Sequence, residues 1–61
     1  MELKINLYNK PAVAIILVTD RFRKEFEVIS LTVGGGTINF YPLLSEAETR
    51  RVNRQIKLRI K

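Results

Sequence analysis

Residues Phe26–Tyr41 read FEVISLTVGGGTINFY. Two runs of β-branched and aromatic residues flank three glycines, which predicts a hairpin. With Gly34 and Gly35 as a two-residue loop, Val33 faces Gly36, Leu31 faces Ile38 and Ile29 faces Phe40, so apolar pairs share one sheet face. The other face then carries Thr32 with Thr37, Ser30 with Asn39 and Val28 with Tyr41. A three-residue loop sets Leu31 against Asn39 and mixes the faces. Side chains alternate with period two, so a one-residue slip costs the whole apolar face. The two-residue loop is preferred, in the type I′ or II′ turn that glycine permits. A phosphate cradle at Gly34–Gly36 needs a following helix N-terminus and usually a Lys. The strand-like TINFY follows instead, so these glycines read as a turn.

Working outward toward the N-terminus, Leu3, Ile5 and Leu7 alternate with Glu2, Lys4 and Asn6, the pattern of a half-buried strand. Asn9-Lys10-Pro11 reads as a turn, with Pro11 ending the pairing. Ala12–Thr19 is then a second strand, and AVAIILV is apolar at every position, which predicts cover on both faces. One cover is the domain core. The other is a helix, long side chains or a partner chain. The charged stretch Asp20–Glu25 (DRFRKE) connects this strand to the hairpin.

Toward the C-terminus, Tyr41-Pro42 ends the fourth predicted strand, since Pro cannot continue a ladder. Ser45 with Glu48 three residues on is a capping box, and Glu46 and Glu48 suit the positive helix N-terminus. A helix therefore starts near Glu46. Val52, Ile56 and Ile60 recur every four residues as its core stripe, with Leu58 off it. Ile56, Leu58 and Ile60 also alternate with Lys57, Arg59 and Lys61, as a strand would. The strong start and the absence of Gly or Pro favour the continuous helix. The expected fold is α+β: one domain over residues 1–61, a small antiparallel four-stranded meander with one C-terminal helix. If 56–61 is a strand, the alternative is a five-stranded SH3-like or OB-like barrel.

Gly34–Thr37 (GGGT), a short strand, and Ser45-Glu46 opening a C-terminal helix are together similar to the end of small archaeal chromatin proteins of the SH3-like type. The resemblance covers about the last third of the chain. Those proteins spread Lys over their strands, whereas here the second strand is apolar and Arg is concentrated in the tail. The family is not adopted.

Composition narrows the function. With 61 residues, the core is marginal on its own, and with no Cys or His neither disulfides nor thiolate and imidazole metal sites can reinforce it. An oligomer is the remaining reinforcement. The usual general base and the Cys nucleophile are both missing, Asp20 is the only Asp, and the Glu residues have surface or capping roles; an enzyme, a cofactor and a small-molecule substrate are not expected. The longest apolar run, Ala12–Val18, is too short to span a membrane, and MELKINLY lacks the pattern of a signal peptide, so a soluble cytoplasmic protein is expected. An amphipathic C-terminal membrane anchor would insert weakly, since its apolar stripe is narrow and lacks Trp and Phe.

The net charge is +5, and all of it belongs to the tail: Arg50, Arg51, Arg54, Lys57, Arg59 and Lys61 face no acid after Glu48. On a continuous helix Arg50, Arg54, Lys57 and Lys61 form one stripe able to neutralise phosphates while the apolar row stays docked. Alternatively it is simply a solvated face. Phe22, among Arg21, Arg23 and Lys24, either stacks on a base or folds back on the sheet edge. Thr32, Thr37, Asn39 and Tyr41 could extend the surface. The leading expectation is a basic, non-enzymatic protein contacting the backbone of DNA or RNA. The alternative is a homo-oligomeric interaction module, most simply a homodimer, using the apolar second strand in the manner of small phage or plasmid accessory proteins.

Overall fold

The computed structural model describes residues 1–60. Strands β1 (Glu2–Leu7), β2 (Lys10–Asp20) and β3 (Glu25–Val33) form one antiparallel sheet in the order β1-β2-β3. A 3-10 turn at Tyr41–Leu43 leads into helix α1 (Glu46–Arg59). The apolar second strand is thus the central one, as expected for the most hydrophobic run. The helix covers one sheet face. Between them lie Ile5, Leu7, Ala12, Ala14, Ile16, Leu31, Val52, Ile56 and Ile60, all buried. Ala12 and Ala14 are the small members of this core, on the central strand. The capping box is complete: Ser45 Oγ accepts from the Glu48 N–H and the Glu48 carboxylate accepts from the Ser45 N–H. Lys57 and Arg59 occupy the last turn, where cations suit the helix dipole.

Three expectations are corrected. Among the described residues there is no fourth strand. The glycine turn itself forms as read: Gly34 and Gly35 have φ of 61° and 75°, and the Gly36 N–H donates to Val33 O at 3.1 Å. Beyond it the main chain of 37–40 does not pair as a strand, and an amide side chain replaces it. Asn39 Oδ1 accepts from the Leu31 N–H at 2.9 Å, and Asn39 Nδ2 donates to Ile29 O at 3.5 Å. Only the Phe40 N–H reaches β3 directly, at Leu31 O. The pairs Leu31–Ile38 and Ile29–Phe40 therefore do not form; Ile29 is an unpaired bulge residue between Ser30 and Val28.

The barrel alternative is likewise absent, because the helix runs unbroken to Arg59; the last of the residues assigned to it, Lys61, lies outside the described residues. Pro11 does not end the pairing. The turn is Tyr8–Asn9, both left-handed at φ 55° and 59°, and Pro11 sits inside β2 opposite Asn6. Its carbonyl still accepts from the Gly34 N–H at 3.1 Å, so the proline is held through its acceptor at the last position of the β2–β3 pairing, where a missing donor is tolerated. Within the single chain, α1 covers one face of β2. Val13, Ile15 and Leu17 lie on the face away from α1, with Ile15 40% and Leu17 54% exposed.

Both outer edges of the sheet are held by amides. On β1, Gln55 Oε1 accepts from the Asn6 N–H at 3.0 Å and Gln55 Nε2 donates to Asn6 O at 2.8 Å, as a neighbouring strand would. On β3, Asn39 plays that part and also accepts from the Tyr41 N–H at 3.1 Å. These contacts occupy main-chain groups that otherwise invite pairing with another chain. We predict that Asn39→Ala costs about 1–3 kcal/mol of stability, because the part-buried Leu31 N–H loses its acceptor. Asn39→Asp keeps the Oδ1 acceptor and should cost less. Urea denaturation of both variants checks this, and equal losses would contradict the strand-substitute role.

Candidate nucleic-acid interface

The cationic side chains come from two elements. Helix periodicity turns Val52 and Ile56 inward and leaves Arg50, Arg51, Arg54, Lys57, Leu58 and Arg59 exposed. Arg50, Arg54 and Lys57 share the outer face. Arg50 is tied to Glu46 by a 2.8 Å ion pair across one turn, an i,i+4 pairing readable from the sequence. Among the described residues neither Arg54 nor Lys57 pairs with a carboxylate. Lys61 lies outside the described residues.

The second element is the β2–β3 connection. Arg21–Lys24 closes as a turn, with the Lys24 N–H donating to Arg21 O at 3.3 Å and the Arg23 N–H donating to Asp20 Oδ1 at 3.1 Å. Phe22 and Arg23 occupy its two central positions, so their side chains project from the tip. Phe22 is 100% exposed and does not fold back on the sheet edge. Arg23 sits 4.0 Å from both Asp20 and Glu25, but these contacts are solvent-exposed and weak.

The fold joins these elements on one side. Lys24 of the turn and Lys57 of the helix line a common groove with Tyr41 and Asn53. The Tyr41 hydroxyl donates to Asn53 Oδ1 at 2.8 Å, which fastens the helix to the segment following β3. Glu25 lines the same groove, so the cationic surface lies along the helix rather than on the groove floor.

Arg51 lies apart from this set. It borders a hollow on the β1 side with Asn6, Tyr8, Asn9 and Glu48. There, hydrogen bonding between the Tyr8 hydroxyl and the Glu48 carboxylate raises the phenol pKa and lowers the carboxyl pKa, and Ser45 lowers the latter further.

The hydroxyl and amide groups expected to extend the surface do not do so together. Asn39 and Tyr41 are engaged internally, and Thr32 lies opposite Val13 on the open sheet face. Sequence reasoning missed Gln55, whose amide fixes the helix to the main chain of β1, and Asn53, whose amide fixes it to the Tyr41 hydroxyl. No periodicity marks a polar side chain that bonds to a distant group.

Among the described residues no group of acidic side chains could hold a metal ion, and no helix is long and apolar enough to cross a membrane. Compared with protein-family models, curated proteins and solved structures, the chain finds no match.

Proposed function

We propose that this protein is a non-enzymatic binder of nucleic acid, with single strands preferred. Arg50, Arg54 and Lys57 contact phosphates, Arg21 and Lys24 continue that contact, and Phe22 stacks on a base. The observation that carries this reading is Phe22. A wholly exposed phenylalanine at the tip of a turn, between arginines, gains nothing from the fold. A sequence-tolerant stacking platform beside a cationic track is the chemistry that uses it. Because no buried polar constellation accompanies it, the contact reads backbone and base plane rather than base identity.

The test is a titration of fluorescent single- and double-stranded DNA and RNA at two salt concentrations. Five phosphate contacts predict roughly a hundredfold weaker single-strand binding between about 50 and 200 mM salt. Phe22→Ala should weaken single-strand binding about 5- to 150-fold, the range of one lost base stack, and duplex binding much less. Salt-independent binding, or Phe22→Ala equal to the native protein on single strands, would overturn the assignment.

A further inference from the structure

The open face of the sheet lies on the layer opposite the basic helix. Its central row is Pro11, Val13, Ile15 and Leu17 of β2. Beside it stand Glu2, Lys4 and Asn6 of β1, and Ser30, Thr32 and Glu27 of β3. Glu27 points this way because Phe26 and Val28 on either side pack on the core. One Lys against two Glu makes the face nearly neutral in a molecule of net charge +5. It is therefore the part of the surface least suited to a polyanion, and the part where two copies meet with least repulsion.

We propose that this face binds a second copy of the chain, sheet against sheet. The register supplies the complementarity. Glu2 pairs with Ile15, Lys4 with Val13 and Asn6 with Pro11 on one side of β2, and Ile15 pairs with Ser30 and Val13 with Thr32 on the other. A two-fold axis across the strands at the level of Ala14 inverts these positions. Val13 then meets Ile15 of the second copy, and Pro11 meets its Leu17, so the apolar row closes on itself. The same operation sets Glu2 against Lys4 of the second copy, twice. Ser30 meets Thr32. No like charges are opposed, which is the self-complementarity an isologous contact requires. Strand addition at the sheet edges is the competing mode, and Gln55 and Asn39 already occupy main-chain groups there.

The size of the face sets the strength. Three strands about 4.8 Å apart and six residue steps of about 3.3 Å give a plan of roughly 10 by 20 Å between strand axes. That is well under the ~800 Å² per partner of a standard interface. The dimer should exchange, with a Kd on the order of tens of micromolar or weaker. The basic helices then lie on opposite outer surfaces, both accessible.

Sedimentation equilibrium of the full chain from about 1 µM to about 1 mM reads the proposal. The native protein should pass from monomer to dimer and no further, with little dependence on salt, unlike nucleic-acid binding. Ile15→Glu should raise the dimer Kd more than about tenfold, with the circular dichroism spectrum unchanged. Leu17→Lys serves the same purpose should Ile15→Glu not fold. A monomer throughout the range overturns the proposal and leaves the face to a different protein. A dimer that persists in both variants, or that dissociates with salt, overturns the sheet-to-sheet mode. Neither result bears on Phe22 or the helix, so the nucleic-acid reading stands or falls separately.

Discussion

Ile56→Ala is expected to lower the unfolding free energy by about 2–5 kcal/mol, the cost of a large-to-small change in a packed core. Ile56 has no exposed surface and sits at the middle of the stripe that docks α1 on the sheet. Few other residues can compensate. Among the described residues the buried set comprises nine side chains, two of them alanines. Domains of this size hold only a few kcal/mol in reserve. The expected result is therefore a largely unfolded variant at 25 °C, seen as loss of the helical circular dichroism signal. Leu58→Ala, two residues on and exposed, is the matched control and should change stability by less than about 0.5 kcal/mol. If both variants behave alike, α1 is not packed through the Val52–Ile56–Ile60 stripe.

The second large effect concerns charge. Arg54→Glu combined with Lys57→Glu should reduce nucleic-acid affinity more than a hundredfold at low salt, since each reversal both removes a phosphate contact and adds repulsion. Both positions are exposed and free of carboxylate partners among the described residues, so the fold should survive. Arg50→Glu is a poorer choice, because it also breaks the pair with Glu46 and sets two acids one turn apart. Retained affinity in the Arg54/Lys57 double variant, with native thermal stability, would remove the helix from the proposed interface. Because the open sheet face is on the other layer, the double variant should leave self-association unchanged.

Much of the fold was legible because its signals are local. Ser45 and Glu48 announce the helix through a contact spanning three residues. Gly34 and Gly35 supply the left-handed backbone that a two-residue turn demands. The alternation of β1 places Ile5 and Leu7 on the core face. What escaped is non-local or depends on competition between equals. TINFY has the composition of a strand, but Asn39 offers an amide that satisfies Leu31 as well as a main chain does, and Pro42 stops further extension. Tyr8–Asn9 turns the chain without glycine, so Pro11 drew the turn two residues too late. The basic residues could be enumerated from sequence, yet only the fold separates Arg51, beside Tyr8 and Glu48, from Lys57, beside Lys24. An all-apolar strand in turn cannot say whether its second face is covered.

The pairing of Gln55 with Asn6 links residues 49 positions apart. During synthesis the first strand leaves the ribosome long before its amide guard exists, and the interval is filled by β2, β3 and the glycine turn. Throughout that interval the outer edge of β1 is an open template. The helix that closes β1 is made well after it, so the nascent sheet depends on prompt arrival of the helix. A chain lacking Gln55 leaves the Asn6 N–H and C=O on the outer edge of β1 without their amide partner.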